Sequence, residues 1–136
     1  MRSIRTLVVA ISMLALDLPM IAMAGSPHFV SCTPSVQGNQ ACVTGKEAGL
    51  GDESQVHVVV TVVAHCQNPG GNDPSAQNKE TFGAAFDEPA QNGKALYEAC
   101  VTTAFSPSCS PPMSVVIDDV TVVDTTNSIS CNLALD

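Results

Sequence analysis

The chain has 136 residues, with five basic side chains against thirteen acids and a formal net charge of −8 with its histidines neutral. That balance repels phosphate backbones and anionic lipid, and no basic stripe offsets it, which argues against nucleic-acid binding and against membrane-surface attraction. Six cysteines and no tryptophan point instead to a small domain held by cross-links rather than by a large aromatic core.

The first residues, Met1-Arg2-Ser3-Ile4-Arg5, are basic, Leu7 to Leu16 are mostly apolar, and Ala22-Met23-Ala24 precedes Gly25. A basic start, an apolar middle and an Ala-x-Ala end read as a secretory signal peptide over residues 1–24, a retained N-terminal anchor being the alternative. The apolar run is shorter than the roughly 20 residues of a membrane span, so no membrane span is expected in residues 25–136, which form a single domain. Removing residues 1–24 takes two basic residues and one acid, leaving three basic residues against twelve acids and a net charge of −9.

All six cysteines (Cys32, Cys42, Cys66, Cys100, Cys109 and Cys131) lie after this leader. An even count behind a signal peptide implies three disulfides in a secreted or periplasmic setting. Six cysteines allow 15 pairings, and sequence does not choose among them. A Gly38-Asn39 turn between Cys32 and Cys42 makes a local bridge across that loop the best single guess. No Cys-x-x-Cys pair is present, so the spacing argues against zinc.

In chain order, His28 to Cys32 reads as a short strand, Thr33-Pro34-Ser35 as a turn, and Cys42-Val43-Thr44 as extended chain. Residues Gly45 to Gly51 carry three glycines and a short apolar step at Ala48 to Leu50, and read as a connection with room for a short strand. Gln55 to Cys66 is the strongest signal. Val56, Val58, Val60, Val62, Ala64 and Cys66 fall on one face, the period-two pattern of a β-strand in β-branched residues. A loop of turn formers follows, Gln67 to Asn78. Lys79 to Phe86 reads as a strand with Phe82, Ala84 and Phe86 on one face. Asp87 to Gly93 reads as a loop closed by Asn92-Gly93. Lys94 to Ala104 is read as a strand with Ala95, Tyr97, Ala99 and Val101 on one face, helix being the alternative for its first residues. Phe105 to Pro112 is a Pro-rich loop. Ser114 to Val123 is a strand whose alternation slips at Asp118-Asp119, which predicts a bulge or a break. Ser128 to Leu135 alternates cleanly, with Ile129, Cys131, Leu133 and Leu135 inward. Six to eight short strands and no convincing helix predict an all-β fold, an antiparallel immunoglobulin-like β-sandwich stapled by disulfides.

The stretch Ala64-His65-Cys66-Gln67-Asn68-Pro69-Gly70-Gly71-Asn72-Asp73-Pro74, followed by Gln77-Asn78-Lys79, resembles small secreted bacterial β-sandwich proteins of uncharacterised function. Cys109 in the loop Cys109-Ser110-Pro111-Pro112, ahead of a Val-rich strand, also fits. The resemblance covers roughly Gly49 to Val123, and Cys100 inside a strand departs from it. It implies export and a β-sandwich, and it brings neither an activity nor catalytic residues.

Candidate chemistry is sparse. His57 and His65 share a strand face, but eight residues at about 3.3 Å each place them roughly 26 Å apart, too far for one metal ion. His65 and Cys66 are strand neighbours and point to opposite faces, so they do not form a nucleophile–base dyad. The acid pairs Asp52-Glu53, Asp87-Glu88 and Asp118-Asp119 read as solvated residues. Asn68, Asn72 and Asp73 offer oxygens in a Gly-rich loop and are the calcium candidates. No catalytic residue and no cofactor is assigned. The expected function is that of an exported, non-enzymatic module with a structural or protein-interaction role and an unknown protein or surface partner. The alternatives are a calcium- or small-ligand-binding domain and, third, a small secreted hydrolase.

Overall fold

The computed structural model describes residues 25–71, 79–105 and 108–135; the leader read over residues 1–24 lies outside them. Seven strands follow one another: β1 (His28–Gln37), β2 (Gln40–Ala48), β3 (Gln55–Gln67), β4 (Lys79–Gln91), β5 (Lys94–Thr102), β6 (Ser114–Asp124) and β7 (Ile129–Ala134). All pair antiparallel, and no helix occurs among the described residues. No helix there is long and apolar enough to cross a membrane.

The strands form one sheet in the order β1-β2-β5-β4-β3-β6-β7. Its middle is its weakest join. β4 and β5 share only the rungs Ala90↔Ala95 and Gln91↔Lys94 beside the Asn92-Gly93 turn. Both turn residues have positive φ, 52° and 71°, as a type I′ hairpin turn requires. Beyond that tip the sheet divides into a wing of β1, β2 and β5 and a wing of β4, β3, β6 and β7. The two outer strands then come back together. Cys32 of β1 is bonded to Cys131 of β7, although 99 residues separate them in sequence. The sheet is thus rolled almost into a barrel.

The interior is built from small aliphatic residues. Val56, Val58, Val60, Val62 and Ala64 of β3 are fully buried, as are Ala41 and Val43 of β2 and Val120 and Val122 of β6. Burying each valine is worth roughly 1.5–3 kcal/mol. Phe29, Phe82, Phe86 and Phe105 pack only partly buried at the margin of this core. Phe82 and Phe105 meet edge to face at 5.0 Å, a favoured geometry for ring quadrupoles.

Several local readings change. Thr33-Pro34-Ser35 is not a turn but lies within β1, where Pro34 is opposite Val43. β1 hydrogen-bonds along one side only, so it tolerates a residue without an N–H. Gly45 to Ala48 completes β2, because its rungs with β5 run on to Ala48↔Lys94. Asp87 to Gln91 likewise continues β4 against β3 and then β5. The predicted Cys32–Cys42 bridge does not form. The two-residue loop at Gly38-Asn39 sets Cys42 opposite Ser35 and Cys32 opposite Gly45, so Cys32 is directed to β7 and Cys42 to β5. The predicted bulge is present. Val63 pairs with Asp119 and Ala64 with Ile117, which leaves Asp118 as the extra residue.

Candidate functional site

The three disulfides occupy different places in the sheet. Cys32–Cys131 spans the seam between β1 and β7, where no ladder runs, with its Cα atoms 6.7 Å apart. Cys66–Cys109 ties the end of β3 to the loop before β6. Cys42–Cys100 joins residues that are already direct partners in the β2–β5 ladder, with Cα atoms 4.0 Å apart. Residues alternate strictly along these two strands. Ala41, Val43, Gly45 and Glu47 are buried on β2, as are Ala95, Tyr97, Ala99 and Val101 on β5. Cys42, Cys100 and the exposed Glu98 therefore lie on the outer face.

Polar groups converge inside the rolled sheet, at the end of β2. Gly45 is opposite Tyr97, and a Cβ at Gly45 would overlap the Tyr97 ring. The missing side chain lets the ring lie across β2, and its hydroxyl donates to Glu47 Oε1 at 2.7 Å. Glu47 is fully buried, and its Oε2 has no hydrogen-bond partner. From the opposite wing Asp124, also fully buried, faces this carboxyl at the end of β6. Asp124 Oδ1 accepts from the Thr126 amide at 2.8 Å and Oδ2 from Asn127 Nδ2 at 2.7 Å. Asn127 Nδ2 also donates to Glu53 Oε2 at 2.9 Å.

Burial pushes the Glu47 carboxyl up from 4.5 to about 7; the Tyr97 hydrogen bond opposes the rise, and Asp124 adds to it. With Oε1 accepting from Tyr97, the raised Glu47 carboxyl takes its proton on Oε2, the oxygen that no donor reaches. Burial also raises the Tyr97 phenol, with the Glu47 hydrogen bond adding to it. The result is a polar strut from Tyr97 through Glu47 to Asp124, linking the two wings through the interior.

His57 and His65 sit apart, each beside an acid. His57 Nδ1 lies 2.7 Å from Asp87 Oδ1 near the start of β3. His65 Nδ1 lies 2.9 Å from the Asp118 carboxylate near its end, and Lys79 Nζ is 3.4 Å from the same carboxylate. The bulge gives β6 two successive outward acids, and so brings Asp118 to His65. Asn68 is exposed in a turn, and its carbonyl accepts from the Gly71 amide at 2.9 Å. The other two calcium candidates, Asn72 and Asp73, lie outside the described residues.

The interior strut is what sequence reasoning missed. Glu47 falls in the Gly-rich stretch read as a connection. The available signal was Tyr97, since a tyrosine on an inward strand face needs an acceptor for its hydroxyl. Comparison with protein-family models, with curated proteins and with solved structures finds no match.

Proposed function

We propose that the chain is an exported, non-enzymatic module with a structural or protein-interaction role outside the cytoplasm, in a secreted or periplasmic setting. The observation that supports the extracytoplasmic setting is the set of three disulfides pairing all six cysteines. Such bonds persist in oxidising compartments, and the basic, apolar and Ala-x-Ala leader agrees. At a finer level the two wings, joined by two rungs at the Asn92-Gly93 hairpin, are the layers of an immunoglobulin-like sandwich. That assignment, like bacterial origin, accords with the loop resemblance at Cys66 to Asn72.

Inside the fold Tyr97 donates to Glu47, and Asp124 accepts from Thr126 and Asn127 of the β6–β7 turn, which gives these residues a structural part between the wings. Leu96 of β5 is exposed on the outer face, and Val36 of β1, opposite the buried Ala41 and so on the inner face, is exposed as well, on a frame tied by the three cross-links.

Photo-crosslinking residues placed at Val36 and Leu96 of the full chain in the parent cell, with thiol counting on the recovered protein, test the assignment. The expected result is an oxidised protein forming a discrete adduct with an extracytoplasmic component. Free thiols at Cys32, Cys66, Cys109 or Cys131 in the recovered protein, or turnover of a substrate by the purified protein, would overturn it.

A further inference from the structure

We propose that Cys42 and Cys100, once their bond is reduced by a dithiol, form with Glu98 a binding site for a soft divalent metal ion such as zinc. Among the described residues, these three are the one group of His, Cys, Asp and Glu whose ligand atoms all lie within 4.8 Å of one another. A tetrahedral zinc ion about 2.3 Å from each sulfur and about 2.1 Å from a carboxylate oxygen holds its ligand atoms roughly 3.6 Å apart. The 4.8 Å span of the three ligand atoms encloses that spacing once the sulfurs, bonded at 2.09 Å, separate.

The ladder keeps the ligands in place after reduction. β2 and β5 pair in unbroken register from Gln40↔Thr102 to Ala48↔Lys94, and Cys42↔Cys100 is an inner rung. Glu98 is two residues before Cys100, on the same outer face, opposite Thr44. Losing the sulfur–sulfur bond therefore leaves the two thiols facing each other with a carboxylate alongside. The seam offers no such order: without Cys32–Cys131, β1 and β7 have no rungs to hold their cysteines together. Cys66, for its part, is buried and bonded to a loop residue. The spacing of the cysteines along the chain hides the site because its sulfurs come from two strands, 58 residues apart.

The chemistry balances in two steps. A dithiol gives two electrons and two protons to the Cys42–Cys100 bond, yielding two protein thiols and the cyclic disulfide of the reductant. Metal binding then releases both thiol protons to solvent as the ion takes two thiolates and the Glu98 carboxylate, with water in the fourth position.

The test starts from the native full chain. Partial reduction with a water-soluble phosphine is followed by chromatographic isolation of the species in which only Cys42 and Cys100 are free, as mapped by alkylation. That species is titrated with Cd2+. The expected result is one ion per chain, a sulfur-to-metal charge-transfer band, protection of both thiols from alkylation and an unchanged β-sheet circular dichroism spectrum. Glu98→Gln is expected to weaken binding about tenfold or more while leaving that spectrum intact. No band, equal affinity in Glu98→Gln, collapse of the spectrum on reduction, or failure to obtain the species because other bonds always reduce first would each overturn the proposal.

Discussion

The β2–β5 ladder and the β1–β7 seam each carry one disulfide, and the two bonds do different work. In the ladder, Cys42–Cys100 adds a covalent rung to strands that hydrogen bonds already align. At the seam, Cys32–Cys131 joins two strands that have neighbours on one side only. The entropy of the unfolded chain does not distinguish them. Loops of 58 and 99 residues both correspond to about 4–5 kcal/mol in the loop-closure account. The difference is local: cutting the ladder bond leaves the strands paired, whereas cutting the seam bond frees two edges. A disulfide's effect on the native state is set by what else holds the residues it joins.

The largest expected effect breaks the seam. Cys32→Ser with Cys131→Ser is expected to lower stability by about 4–5 kcal/mol, read as a drop in the urea midpoint under non-reducing conditions. The next concerns the strut that runs from the ladder wing to the seam wing. The Glu47 carboxyl is raised in the fold from 4.5 to about 7, so its contribution is fully present below pH 4.5 and is lost as pH rises through 7. At about 1.4 kcal/mol per pH unit, that amounts to about 3 kcal/mol. Glu47→Gln is expected to flatten the fall in stability between pH 5 and pH 8, measured by denaturant titrations at each pH. A variant with an undiminished slope would remove the strut from the account. A smaller effect sharpens the ladder side. Gly45→Ala forces a Cβ against the Tyr97 ring and is expected to cost about 1–3 kcal/mol, seen as a lower Tm with the β spectrum retained.

Much of the frame was legible in the residues. The alternation of Val56 to Cys66 marked β3 and its buried face, Asn92-Gly93 marked a turn, although the strand before it runs on through the residues read as loop, and Asp118-Asp119 marked a bulge or a break, of which the structure has the bulge. Local patterns are enough for such features because side-chain period and turn chemistry are local properties. What could not be read depends on register between distant segments. Cys32 and Cys42 look like partners across a turn until the hairpin register places Cys42 opposite Ser35. Pro34 reads as a break until the strand holding it proves to be at an edge. Glu47 lies in the stretch read as a connection, because its inward position depends on β2 running on to Ala48, and its partner Asp124 lies 77 positions away, on the other wing.

Peptide-level hydrogen exchange on the oxidised protein, compared between the Cys32→Ser/Cys131→Ser and Cys42→Ser/Cys100→Ser variants, tests the distinction between ladder and seam most directly. Local opening should follow the lost cross-link only where no ladder backs it up. The expected result is faster exchange in β1 and β7 of the seam variant, with β2 and β5 of the ladder variant still protected. Loss of protection across β2 and β5 in the ladder variant, or an unchanged β1 and β7 in the seam variant, would contradict the account.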